Sequence, residues 1–104
     1  MNVKELFLDY VSYPTMSLEA SEHCPSSDRQ WELAKRLYRD LRALGLEVFC
    51  DEHCYVYGTL AANTDAAGPV IGLIAHMDTS DACADAPIRA REVYYDGTDI
   101  ILHP

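Results

Sequence analysis

Val70-Ile71-Gly72-Leu73-Ile74-Ala75 is a continuous apolar run, short and rich in β-branched residues. Periodicity of that kind suits a strand buried on both faces rather than an amphipathic element. Such strands belong to sheets covered by helices, so the expected class is α/β, with a mixed sheet, a buried central strand near 70–75 and two helices. The same run is far too short for a spanning helix, which needs about 20 apolar residues.

The helices are expected near 3–12 and 28–44. In the first, Val3, Leu6, Phe7, Tyr10 and Val11 recur at the spacing of one helical face, and Pro14 marks its end. In the second, Ser27 and Gln30 have the spacing of a capping box. Trp31, Ala34, Leu37, Tyr38, Leu41 and Leu44 then form an apolar stripe, with Lys35, Arg36, Arg39 and Arg42 on its solvated flank. Gly45 is placed to close this helix in the left-handed conformation, with Leu46 making the accompanying apolar contact.

Glu47–Asp51 and Tyr55–Ala61 read as strands joined by a hairpin turn over 51–54. Asn63 to Pro69 is a turn cluster. Val93–Tyr95 and Asp99–Leu102 read as strand pieces around an Asp96-Gly97 turn. The stretch from Thr15 to Ser27 has little periodicity and is expected to be an irregular loop. Connections that long are uncommon in compact domains, which marks it as a functional element. No internal repeat is visible. The chain stops directly after a strand piece, and truncation at Pro104 is expected.

A length of 104 residues suits one small domain. With 8 Lys+Arg against 17 Asp+Glu the net charge is −9, which disfavours nucleic acid and anionic membrane surfaces as partners. It tolerates cations. The N-terminus lacks the apolar core of an export signal, since Asp9 interrupts it. The expected compartment is therefore the cytoplasm, where Cys24, Cys50, Cys54 and Cys83 would remain reduced.

The apolar run leads straight into His76-Met77-Asp78-Thr79-Ser80. In an extended chain, residues two apart share a face, so His76 and Asp78 project together with Ile74. That puts an imidazole and a carboxylate at the carboxyl end of a central strand, where open α/β sheets bind ligands. Imidazole suits zinc, and a carboxylate beside it can orient the ring. On its own, His-x-Asp is more often an ordinary surface pair than a metal site.

Other segments carry a family resemblance. Ile71-Gly72-Leu73-Ile74-Ala75-His76-Met77-Asp78-Thr79-Ser80 resembles the first metal motif of the peptidase T family, tripeptide aminopeptidases among the co-catalytic dizinc metallopeptidases. Phe7-Leu8-Asp9-Tyr10-Val11-Ser12 is similar to its opening helix. Cys24-Pro25-Ser26-Ser27, Gln30-Trp31-Glu32-Leu33-Ala34 and Leu41-Arg42-Ala43-Leu44-Gly45-Leu46 resemble the start and end of its second helix. Thr59-Leu60-Ala61-Ala62-Asn63 and Tyr95-Asp96-Gly97-Thr98-Asp99-Ile100 resemble later segments in the same order. Pro14, and Cys54 where a glycine would be commoner, depart from the pattern.

The resemblance implies that residues 1–104 are the N-terminal part of a metallopeptidase catalytic domain. It implies a zinc-dependent aminopeptidase, with two ions per site, that releases the N-terminal residue of tripeptides. His76 would bind one zinc, and Asp78 would serve catalysis by orienting His76. The bridging carboxylate, the glutamate base, the other ligands and a smaller dimerisation domain of a homodimeric enzyme would lie beyond Pro104. The 104 residues alone are then expected to be inactive. Carboxypeptidases and deacylases of the same superfamily are alternatives. So is a different class, a non-catalytic zinc module built on Cys50, His53 and Cys54 with His23 and Cys24, or an interaction domain without chemistry. Against the zinc module, two small thiols packed near a turn with His53 at its tip account for the same residues, and no metal is expected on Cys50 and Cys54.

Overall fold

The computed structural model describes residues 1–82 and 88–101. Helix α1, Val3–Tyr10, begins at a reciprocal cap absent from the sequence reading. The Asn2 side chain accepts from the Glu5 amide at 2.9 Å, and the Glu5 carboxylate accepts from the Asn2 amide at 2.8 Å. Two of the amides that a helix start leaves without partners are thereby satisfied.

Helix α2, Gln30–Ala43, ends as its sequence requires. Gly45 has φ of 87°, the Gly45 amide donates to the Arg42 carbonyl, and the Leu46 amide donates to that of Leu41. These two bonds are the paired closure that a left-handed glycine permits. The start differs from the expected capping box. No side chain caps α2, and the first turn is tightened by bonds from the Gln30, Trp31 and Glu32 amides to the carbonyls of Ser27, Asp28 and Arg29. The tight turn satisfies the Gln30 amide, which the Ser27 hydroxyl would have capped, and the Gln30 side chain is engaged elsewhere. The stripe is also shifted: Leu33 and Ala34 are buried, whereas Leu44 is 74% exposed.

Strands β1, Glu47–Cys50, and β2, Val56–Thr59, pair antiparallel with Val48 opposite Gly58 and Cys50 opposite Val56. Helix α2 packs on this hairpin. At Gly58 they approach closely, since a Cβ there would lie 3.0 Å from Leu46 and 3.3 Å from Leu41. In the turn, the Asp51 carboxylate accepts from the amides of His53 and Tyr55 at 3.0 and 2.8 Å. Cys54 follows at φ of 70°, the position that closes a three-residue hairpin loop and favours glycine.

Helix α1 is joined to α2 through polar groups. Tyr10 donates to Asp40 at 2.7 Å, and the Arg36 guanidinium spans Asp40 and Asp9 while lying over the Tyr10 ring. The described core is small, comprising Leu33, Ala34 and Cys54 as its buried apolar residues.

The expected buried strand is not formed. Residues 70–75 have no ladder partner, and Val70, Ile71, Leu73 and Ile74 are each more than 80% exposed. A strand of this composition needs a neighbour on each edge and a layer on each face. Helix α2 and the hairpin bury their apolar sides against each other and supply neither. Burying those four side chains would be worth roughly 6–12 kcal/mol at about 1.5–3 each. The expected strands at 93–95 and 99–101 are likewise absent, while the Asp96-Gly97 turn is present, with Asp96 accepting from the Thr98 amide. Leu102, which would complete the last strand, lies outside the described residues. The radius of gyration of 17.2 Å exceeds the roughly 13 Å of a closed domain this size. Among the described residues no helix is long and apolar enough to cross a membrane.

Burial, then the bond to Asp40, pushes the Tyr10 phenol up to about 12. An unfolded tyrosine titrates near pH 10. The stability contributed by this contact is thus present below about pH 10 and is lost as pH rises towards 12. Tyr10→Phe should cost roughly 1 kcal/mol at pH 7 and reduce the alkaline loss, as read by denaturant unfolding between pH 7 and 11.5. An unchanged alkaline slope would contradict the role given to Tyr10.

Candidate functional site

His76 and Asp78 meet as their spacing requires. The His76 Nδ1 lies 2.9 Å from Asp78 Oδ1 and 2.8 Å from the Asp78 carbonyl oxygen. Both of those oxygens only accept, so Nδ1 must carry the hydrogen. The neutral ring then keeps its lone pair on Nε2. The His76 side chain is 85% exposed, and that of Asp78 is 44% exposed.

The pair is not at the end of a buried strand. It is tethered sideways, to the loop that follows α1. Met16 and Thr79 form a parallel bridge: the Thr79 amide donates to the Thr15 carbonyl at 3.3 Å, and the Ser17 amide donates to the Thr79 carbonyl at 3.0 Å. The Ser17 hydroxyl donates to Asp78 Oδ2. Gln30, at the start of α2, donates to the Thr15 carbonyl at 3.3 Å and to Ser26 Oγ at 3.4 Å. Asp78 therefore has one oxygen on Ser17 and the other on His76. The Ser17 bond foremost, with the His76 bond and charge adding to it, holds the carboxyl below the usual carboxylate range against the opposing effect of burial. Sequence reasoning missed Ser17, Thr15 and Gln30, although the length of the 15–27 loop had marked the region.

These donors fit a zinc ion as far as they go. An imidazole anchored through Nδ1 by a carboxylate and presenting Nε2 is the usual state of a zinc-binding histidine. Among the described residues no group of three or more His, Cys, Asp and Glu is arranged to hold a metal. A cavity of about 830 Å³ lies elsewhere, between α2 and the hairpin turn, where Trp31, Lys35, Tyr38 and Arg39 face Cys50 and Glu52. None of residues 76–79 lines it.

The cysteines of the alternative zinc module are placed differently from one another. Cys54 is 1% exposed, and burial first, then the neighbouring Cys50 and Cys24 thiols, push it up to about 11. Burial and Asp51 also raise Cys50. Cys24 is exposed and donates to the His53 carbonyl at 3.5 Å. His23 and His53 are exposed, and Cys83 lies outside the described residues.

The chain is 46% identical over 101 residues to peptidase T of Geobacillus sp. (strain WCH70), a match covering 95% of this chain. It is 46% identical over 104 residues to peptidase T of Desulfitobacterium hafniense (strain Y51), covering 99% of it. A third relative, peptidase T of Alkaliphilus oremlandii (strain OhILAs), is 46% identical over 106 residues. Over nearly its whole length the chain is homologous to peptidase T. The match spans about a quarter of the relatives, 25% of the first two and 26% of the third. No family model matches the chain, and no solved structure does. Within this homologous stretch, the structure brings the His76 imidazole and the Asp78 carboxylate together.

The thiols should differ in reactivity, because the thiolate is the nucleophile and burial suppresses it. Among Cys24, Cys50 and Cys54, alkylation with iodoacetamide at pH 7.5, followed by peptide mapping, should modify Cys24 first and Cys54 last. Equal rates at the two would contradict the placement of Cys54.

Proposed function

We propose that the complete polypeptide carrying this chain is a zinc-dependent aminopeptidase that releases the N-terminal residue of tripeptides. The observation that supports it is the His76–Asp78 contact within a stretch homologous to peptidase T, with Nδ1 engaged and Nε2 left as the metal-binding nitrogen. His76 would contribute one ligand to a two-zinc site. Zinc would supply Lewis-acid polarisation of the peptide carbonyl and a nucleophilic water at neutral pH.

The chain's own residues do the positioning. Asp78 stays ionised, holds the His76 ring through Oδ1 and fixes its tautomer. A carboxylate in that place also raises the basicity of the ring nitrogen that faces the metal. Catalytic zinc takes about three protein ligands and an open position, so the 104 residues would not turn over substrate by themselves.

In this reading, residues 1–104 are the N-terminal part of the catalytic domain, and the rest of that domain covers the apolar face of 70–75. The exposed Val70, Ile71, Leu73 and Ile74 support it, since so much uncovered apolar surface is comparable in worth to a whole domain's stability of about 5–15 kcal/mol. A cytoplasmic homodimer is part of the same proposal.

The test is release of the N-terminal residue from an unblocked tripeptide by the full-length polypeptide, with and without chelator. Chelation should abolish turnover and zinc should restore it. His76→Ala should remove activity, and Asp78→Ala should lower it or the metal affinity by roughly 10–100-fold. A full-length enzyme indifferent to His76→Ala, or turnover by the 104-residue chain alone, would contradict the assignment.

A further inference from the structure

Asp78 is held from a distance of 61 positions in the sequence. Its Oδ2 takes the Ser17 hydroxyl and its Oδ1 takes His76 Nδ1, so the two bonds fix the carboxylate plane between them. A carboxylate held at one oxygen alone can rotate about its terminal torsion, which is broad and soft. Pinning the far oxygen removes that freedom and leaves Oδ1 aimed at the ring.

Ser17 is itself well fixed. Its amide is bonded to the Thr79 carbonyl, one residue beyond Asp78. Its neighbour Thr15 is 3% exposed, and the Thr15 carbonyl accepts from both Thr79 and Gln30. On the other side, the Leu18 amide donates to Ser26 Oγ at 3.1 Å, and Ser26 also accepts from Gln30. The buried Gln30 at the start of α2 therefore braces the loop that carries the hydroxyl.

We propose that Ser17 is a positioning residue for the metal site: its hydroxyl fixes the Asp78 carboxylate so that Asp78 holds His76 Nδ1–H and Nε2 is presented to the ion. This rests on the reading of His76 as a zinc ligand. Ser17 touches neither metal nor substrate in this scheme and acts only through Asp78.

The main-chain bonds of residues 15, 17 and 79 do not involve the Ser17 hydroxyl, so Ser17→Ala removes one bond and keeps the bridge. Ser17→Thr keeps the hydroxyl. Both variants are to be made in the full-length polypeptide alongside His76→Ala. Without metal, the ring-nitrogen shifts of ¹⁵N-labelled His76 at a pH where the ring is neutral report its tautomer. The wild type and Ser17→Thr should show the Nδ1–H form, and Ser17→Ala a mixture.

Zinc affinity, measured against a competing chelator, should fall about 10-fold in Ser17→Ala, at the low end of what partners of a metal ligand cost, and recover in Ser17→Thr. A wild-type tautomer together with wild-type affinity in Ser17→Ala would overturn the proposal. So would equal losses in the Ala and Thr variants, which would make Ser17 a packing residue. If His76→Ala leaves zinc affinity unchanged, the metal reading itself fails, and the tautomer of Ser17→Ala still decides whether Ser17 orients Asp78.

Discussion

Thr79 lies beside a loop from the other end of the chain, giving its amide to Thr15 and taking the amide of Ser17. Everything the candidate site can do depends on that short bridge. Residues 60–76 are exposed without interruption, so the backbone approaches His76 with no packing to direct it. The bridge, the Ser17–Asp78 bond and the Gln30 brace are what bring His76 and Asp78 back onto the folded part. Each neutral bond of this kind nets about 0.5–1.5 kcal/mol, and the one to the Asp78 carboxylate about 1.5–3. Val70, Ile71, Leu73 and Ile74 stay exposed and give the pair no packing. The geometry of the pair is thus set by directional polar contacts, and hydrophobic burial contributes little to it here.

The folded part supports the bridge. Helix α2 is closed at Gly45, packs on the hairpin over Gly58 and carries Gln30 at its first position. Helix α1 is tied to it by Tyr10, Asp40 and Arg36, which fixes where the 11–17 segment leaves α1. Asp40 is held below the usual carboxylate range by the Tyr10 bond and the Arg36 contacts, so Asp40 and Arg36 remain a charged pair at neutral pH, with the neutral Tyr10 phenol donating to Asp40. Helix α2 and the hairpin pack on each other, while the most apolar strand-like stretch is left exposed.

Much of this was legible locally. The end of α2, the hairpin and the Asp96-Gly97 turn follow from residues whose effects act within a few positions, such as Gly45 and Asp51. His76 and Asp78 were visible because their spacing alone brings them to one face. Cys54 was marked as a departure from glycine, and its φ of 70° shows why glycine would suit that position. The misses have a common cause. Whether Ser27 caps α2 depended on the competing tight turn, and whether 70–75 is a buried strand depended on layers that helix α2 and the hairpin do not supply. Ser17 was hidden because a hydroxyl has no periodicity, and its partner is 61 residues away. The length of its loop was the available signal.

The central claim is that His76 meets a metal through Nε2 while Asp78, braced from residue 17, holds Nδ1. A crystal structure of the zinc-loaded full-length polypeptide, with zinc located by anomalous scattering, tests this directly. The account predicts zinc about 2.0–2.1 Å from His76 Nε2, with Asp78 still bonded to Nδ1. Zinc bound instead by Cys24, Cys50 or Cys54, or a His76 ring without metal in a loaded crystal, would contradict it.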